Sequence, residues 1–159
     1  KCSKFKEKLQ AQITKGMAKI FEMISKFCKE EVSAIHEDYE KIKTKIMTLP
    51  NNEDELFELK KFAKGIKAKK EELREREKDV INRTLILEDY GQHLEQETTY
   101  MLWYCKTCPI EVDVASREGN NQLQREEEKF REKLEKEKEE WYKEIQNLHS
   151  DFEKVQQFS

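Results

Sequence analysis

The residues whose type and spacing come nearest to known site chemistry are two cysteines separated by two positions, Cys105 and Cys108. Thiolates at this spacing can bind zinc or exchange with a disulfide. A structural zinc site needs four ligands, usually from two such pairs or from one pair and two histidines. The other candidates are single residues that form no second pair: Cys2, Cys28, His36, His93 and His149. We therefore expect reduced cysteines that serve packing, and no metal site.

No other pattern predicts catalysis. The three histidines are single residues that form no pattern with a Ser or Cys to suggest nucleophilic activation, and no Gly-rich phosphate loop with a Lys-Ser/Thr ending is present. The many carboxylates occur in dense charged runs, where they would be ionised and solvated. The sequence thus predicts no catalytic, cofactor-binding or metal-binding residue in this chain, and the chain itself is not expected to be an enzyme.

One basic run needs a separate interpretation. Positions 60–70 contain six lysines and no acid. Such a run could contact nucleic acid or the acidic surface of tubulin. A solvated helix face is favoured instead, because acidic residues follow directly at Glu71, Glu72, Glu75 and Glu77. The formal net charge of −3 predicts neither nucleic acid nor an anionic membrane as a partner, and no apolar run reaches the length of a membrane span.

The composition indicates which elements must position these residues. Among 159 residues, 41% are charged and only four Gly and two Pro are available for turns. A β-sandwich or a multi-turn α/β fold needs many more turn-forming residues. Long helices need few turns and tolerate a densely charged outer face. The composition therefore predicts an all-α chain.

The apolar residues recur every three or four positions over three stretches, which is the helical period. The first predicted helix covers 1–49, and the second covers 50–90 after a break at Pro50. Asn52 and Glu55 are predicted to form a capping box at the start of the second helix, and Tyr90-Gly91 is predicted as its C-terminal stop. Residues 91–119 are predicted to form a connector that is either ordered with a short extended piece or partly helical. The third predicted helix covers 120–159. Its apolar residues are Leu123, Phe130, Leu134, Trp141, Ile145, Leu148, Phe152 and Val155.

Three long helices with these connections predict an elongated antiparallel three-helix bundle with coiled-coil-like packing. Trp103 and Trp141 are expected to anchor it. The chain begins at Lys1 without a Met and stops directly after the apolar Phe158. We therefore expect it to be one helical-bundle segment of a longer protein, although processing of a precursor could also remove the Met.

Several phrases of the sequence resemble axonemal dynein heavy chains. They are Asp-Tyr-Glu-Lys-Ile at 38–42, Leu-Pro-Asn-Asn-Glu-Asp-Glu-Leu-Phe-Glu-Leu-Lys at 49–60, Leu-Ile-Leu-Glu-Asp-Tyr at 85–90, and the end of the third helix at 145–155. In that family a long tail helix breaks at a Pro-Asn turn, and an aromatic connector with a Trp follows. The resemblance covers about residues 35–159. The connector departs from the family pattern, because Trp103 is not followed directly by a Pro and Pro109 comes six positions later.

The resemblance implies a tail segment that precedes the linker and motor ring of an ATP-driven microtubule motor of cilia and flagella. ATP, Mg²⁺ and microtubules would then be bound by other parts of the heavy chain. The segment would contact the rest of that chain, light or intermediate chains and neighbouring axonemal complexes, in the cytoskeleton of the axoneme. The alternative is a spectrin-like or tropomyosin-like structural coiled coil without a motor.

Overall fold

The computed structural model describes residues 2–157 of the chain, and the side chains of 2–154. Within this part the protein is all-α, as predicted, and has no strand. Four helices are present where three were expected: α1 (Cys2–Ile46), α2 (Glu53–Asp89), α3 (Gln96–Cys105) and α4 (Cys108–Gln157). The difference lies in the predicted connector.

The predicted break at Pro50 separates α1 from α2. Asn52 is the N-cap of α2, and its side chain accepts a hydrogen bond from the Glu55 amide at 2.8 Å. In return, the Glu55 carboxylate accepts hydrogen bonds from the backbone and side-chain nitrogens of Asn51, at 2.8 and 3.0 Å. These hydrogen bonds lower the pKa of Glu55, the one from the Asn51 backbone most of all. The turn is thus a capping box displaced by one residue, because Glu55 reaches Asn51 and not the cap itself.

The end of α2 is set by Gly91, which has a φ of 68°. This left-handed conformation places the Gly91 amide 2.9 Å from the Glu88 carbonyl and the Gln92 amide 2.8 Å from the Leu87 carbonyl. Both contacts belong to a Schellman motif, which satisfies carbonyls that the helix leaves free. The stop predicted at Tyr90-Gly91 is confirmed.

Residues 91–119 are mainly helical, so the extended piece considered for this stretch does not form. α3 occupies most of the first half, and α4 begins at Cys108 and not near 120. Only Lys106 and Thr107 interrupt the helices, and the Thr107 carbonyl accepts the first hydrogen bond of α4 from Ile110 at 3.0 Å. Pro109 fits the first turn of α4, where its missing N–H needs no partner.

Contacts between helices fix their directions. α2 runs antiparallel to α1, because Tyr90 lies against Phe21 with ring centroids 5.3 Å apart while Lys45 lies 4.6 Å over the Phe62 ring. α3 and then α4 run along α1 in its own direction. Lys29 of α1 pairs with Glu95 just before α3, and Lys43 of α1 pairs with Glu111 of α4.

The core lies along the carboxy-terminal half of α1, where α2, α3 and the first part of α4 pack on it. Its buried residues on α1 are spaced by three and four: Cys28, Val32, Ile35, Tyr39, Ile42 and Ile46. The other helices contribute Leu56, Leu59, Ile66, Leu73, Val80, Leu102, Cys105, Cys108, Val112 and Leu123. This cluster covers only the second half of the apolar stripe predicted for the first helix and only the start of the stripe predicted for the third.

Two helical ends extend beyond the core. In α1 every residue from 2 to 20 is exposed, and in α4 every residue from 131 to 154 is exposed. We call 2–20 the amino-terminal arm and 131–157 the carboxy-terminal arm. Because α1 and α4 run in the same direction, and α2 ends near Phe21 but starts near Glu127, the arms project from opposite ends of the core.

Candidate functional site

Cys105 and Cys108 lie on either side of the break between α3 and α4, and both are fully buried and free. The Sγ of Cys105 lies 3.9 Å from the Val32 carbonyl oxygen, and the Sγ of Cys108 lies 3.6 Å from the Tyr104 carbonyl oxygen. Burial raises the pKa of Cys105 to about 12 and that of Cys108 to about 11. Because thiolates and not thiols are the nucleophiles and metal ligands, both side chains are unreactive packing groups at neutral pH.

A buried polar group that the sequence did not reveal lies beside this pair. Glu77 of α2 is only 7% exposed, and burial raises the pKa of its carboxyl against the opposing effect of Lys106 and Arg74. Tyr39 is fully buried, and its hydroxyl has no hydrogen-bond partner among the described residues. Burial and the nearby Glu77 raise the Tyr39 pKa to about 12. The sequence pattern does not indicate that Glu77 is buried, because this residue belongs to a run of charged residues expected to be solvated.

The remaining candidate ligands are dispersed. Cys2 is exposed in the amino-terminal arm, and Cys28 is buried in the core. His36 stacks on Tyr104 with ring centroids 5.4 Å apart, whereas the exposed His149 pairs with Glu153 in the carboxy-terminal arm. Among the described residues, no group of three His, Cys, Asp or Glu side chains is placed to hold a metal ion.

Both ends of the basic run at 60–70 are used within the protein. Lys60 pairs with Glu127 of α4 at 2.5 Å, and Lys70 pairs with Asp113 of α4. The Lys70 side chain is largely buried in this pair. These two lysines therefore form ion pairs between α2 and α4. The solvated face predicted for the run is restricted to the lysines between them.

Arg76 holds α1 and α2 together at the middle of the core. Its Nε lies 2.6 Å from Glu31 and its Nη1 lies 2.9 Å from Asp38, both on α1. The Asp38 pKa is lowered: burial acts to raise it, but hydrogen bonds from Arg76 and Lys41 outweigh that effect. The hydrogen bond to Glu31 raises the pKa of Arg76, and the hydrogen bond to Asp38 adds to this effect, so the guanidinium stays protonated. Sequence pattern alone does not reveal such a contact between helices.

The largest difference from the predicted packing is at the two arms. In the amino-terminal arm the apolar stripe continues in phase but is exposed at Phe5, Leu9, Ile13, Met17 and Ile20. In the carboxy-terminal arm the predicted anchor Trp141 is 70% exposed. Leu134, Ile145, Leu148 and Phe152 are exposed as well, and the side chain of Val155 lies outside the described residues. Trp141 therefore does not anchor the core of this chain.

Trp103 was expected to be a second anchor, and this expectation is also wrong. The indole is exposed, and the Lys106 ammonium lies 4.2 Å above its ring. Tyr100 of α3 and Ile110 and Val114 of α4 are exposed as well. The residues of this region that do reach the core are Leu102 and the two cysteines.

Exposed apolar faces on long helices are typical of surfaces that bind other helices. The arms are therefore the candidate functional sites of the molecule. No helix in the described part of the chain is long and apolar enough to cross a membrane. Comparison with protein-family models, with curated proteins and with solved structures gave no match.

Proposed function

We propose that this chain is a structural segment, a stiff helical spacer and assembly surface, that joins other helical proteins or segments through its two arms. The observation that carries this proposal is the position of the arms, which extend the bundle in opposite directions and expose continuous apolar faces. A helix with such a face gains its stability from packing against a partner. An arm at each end suits transmission of force along the bundle.

We further propose that the parent is an axonemal dynein heavy chain and that this segment belongs to its tail. The support is the resemblance at 38–42, 49–60, 85–90 and 145–155. In this proposal the segment has no catalytic or cofactor-binding residue of its own. ATP and Mg²⁺ are bound by the motor of the parent, which moves on microtubules. The partners of the segment are the rest of the heavy chain, light or intermediate chains and neighbouring complexes of the ciliary or flagellar axoneme.

The parent protein provides the decisive test. The full-length transcript that contains this sequence should encode nucleotide-binding loops downstream of it. An antibody raised against residues 2–157 should stain cilia or flagella and detect a very large polypeptide in salt extracts of isolated axonemes. A downstream sequence of further helical repeats without a nucleotide-binding loop would contradict the dynein assignment.

The second candidate is a spectrin-like structural coiled coil without a motor. It is favoured by the spacing of the buried residues Val32, Ile35, Tyr39, Ile42 and Ile46, which alternates between three and four as in a heptad seam. We propose coiled-coil-like packing between α1 and α2 on the same ground. The same full-length sequence separates the two candidates, since only the motor contains an ATPase ring. Antibody staining outside cilia would favour the spectrin-like protein.

A further inference from the structure

We propose that the amino-terminal arm of one copy of this chain binds the carboxy-terminal arm of a second copy, so that the chains associate head to tail. This inference goes beyond the proposed parent and does not depend on it. It rests on three properties of the arms: their apolar faces, their opposite charges and their positions at opposite ends of the core.

The apolar faces are of the same kind, and each continues over several helical turns. The amino-terminal arm exposes Phe5, Leu9, Ile13, Met17 and Ile20 over about 23 Å of helix. The carboxy-terminal arm exposes Trp141, Ile145, Leu148 and Phe152, spaced by four, three and four residues. That spacing is the seam of a two-helix contact, in which each side chain packs between residues of the facing helix.

The charges select which arms can pair. The amino-terminal arm has five lysines and one glutamate over 2–20, a formal charge of +4. The carboxy-terminal arm has eight acidic and six basic residues over 131–157, a formal charge of −2, and its part that carries the exposed Trp141, Ile145, Leu148 and Phe152, 139–153, has a formal charge of −4. Pairing unlike arms therefore brings opposite charges together, whereas pairing two identical arms brings like charges together.

The geometry excludes pairing within one chain. The core lies between the arms, and they extend away from each other, so one arm cannot reach the other arm of its own copy. When two copies stack end to end, the carboxy-terminal arm of the first lies beside the amino-terminal arm of the second. α1 and α4 have the same direction, so the paired arms are parallel. The stacked pair keeps one free arm at each of its two outer ends. The contact is therefore open and can continue into a chain of copies.

Sedimentation velocity of the 159-residue protein tests the proposal. Because association depends on protomer concentration, the wild-type protein should sediment faster as its concentration rises from about 1 µM to about 300 µM. Raising NaCl from about 50 mM to about 500 mM should weaken the association, because salt screens the charges of the arms. A wild-type protein that remains monomeric throughout this range would overturn the proposal, whatever the variants do.

Two blocked variants then test which arms meet. One carries Leu9→Ser and Ile13→Ser in the amino-terminal arm, and the other carries Trp141→Ser and Ile145→Ser in the carboxy-terminal arm. Each should be monomeric alone, and an equimolar mixture should form a heterodimer that grows no further, because one intact arm of each kind remains. Self-association of either variant alone, or a mixture that stays monomeric, would contradict head-to-tail pairing.

A matched control uses apolar residues that are equally exposed but lie on α2. The Phe57→Ser and Leu85→Ser variant removes two such side chains outside the arms. It should associate as the wild type does, which separates loss of an arm from a general loss of apolar surface. All variant positions are exposed and lie outside the core cluster, so the thermal unfolding midpoint of the core in dilute, monomeric protein should match that of the wild type in each case. A control variant that fails to associate would show that another surface carries the contact.

Discussion

At the scale of single residues, the least expected group is Glu77, a buried carboxylate in an otherwise apolar contact. A buried charge without a strong partner opposes folding, and the raised pKa of Glu77 expresses that cost. The ordinary pKa of such a carboxyl is 4.5. Because its pKa in the folded state is higher, the folded protein takes up this proton first as the pH falls. The unfavourable contribution of Glu77 to the free energy of unfolding therefore decreases as the pH falls below neutral.

This linkage predicts the behaviour of Glu77→Gln. The amide has nearly the same shape but carries no charge, so the variant should be more stable than the wild type at pH 7. The difference should shrink as the pH approaches 4.5, where Glu77 becomes neutral. Urea unfolding of both proteins across this range measures it. Glu72→Gln changes an exposed carboxylate on the same helix and should give little difference. A Glu77→Gln protein less stable than the wild type at pH 7 would show that the carboxylate is well paired.

At the scale of helices, α1 and α4 approach each other closely at Gly119. A Cβ atom at this position would lie 2.5 Å from the Ile46 carbonyl oxygen and 2.7 Å from its Cγ1. Only a residue without a side chain permits this approach, although glycine is unfavourable within a helix. The sequence could not reveal this role, because the requirement comes from a residue 73 positions away that is adjacent only in the folded protein.

Two glycine-to-alanine substitutions should therefore have opposite effects. Gly119→Ala should destabilise the protein by about 1–3 kcal/mol, because backbone and side-chain atoms of Ile46 must move. Gly65→Ala should stabilise it by up to ~1 kcal/mol, since this exposed helical position has open space around it. Urea midpoints of the two variants and the wild type check both signs. A stabilising Gly119→Ala would mean that α4 does not approach Ile46 as closely as described.

The start of α2 gives a smaller, separate prediction. Asn52→Ala removes the acceptor of the Glu55 amide and should cost about 1 kcal/mol of unfolding free energy. Asn52→Gly should cost only a few tenths of a kcal/mol, because glycine also suits this backbone position and leaves the amide open to water. Thermal or urea unfolding of the two variants measures the difference. Equal losses for both would show that the side-chain hydrogen bond contributes little.

The helices illustrate what sequence can and cannot predict. Periodicity predicted an all-α chain, and local turn chemistry predicted the breaks at Pro50 and Gly91, because both signals involve neighbouring residues. The sequence did not decide between a short extended piece and a partly helical connector at 91–119. A short helix with apolar residues on two sides has a sequence pattern similar to that of an extended piece. Periodicity also shows that Trp141 lies on an apolar face, but only the lengths of the packed helices show that the core ends before it.

At the scale of the whole molecule, stability is concentrated in the middle and the two ends consist of single helices. The described arms have no packed core of their own, and the carboxy-terminal arm is supported by pairs along the helix such as Lys133–Glu137 and Lys154–Asp151. Each such pair is worth only about 0.2–0.5 kcal/mol. Most of the stability of a helix in a protein comes from the packing of its apolar face, and the arms lack this packing, so they gain stability by binding. This division relates the shape of the molecule to its proposed role in assembly.

Hydrogen exchange should display this division directly. In dilute protein, amides of 2–20 and 131–157 should exchange rapidly, because opening one unpacked helix costs little free energy. Amides of 28–46 should be protected by close to the full free energy of unfolding, since α1 cannot open there without disrupting the core. Raising the protein concentration should slow exchange in both arms together if they bind each other between copies. Arms that exchange as slowly as the core in dilute, monomeric protein would contradict the unpacked ends described for α1 and α4.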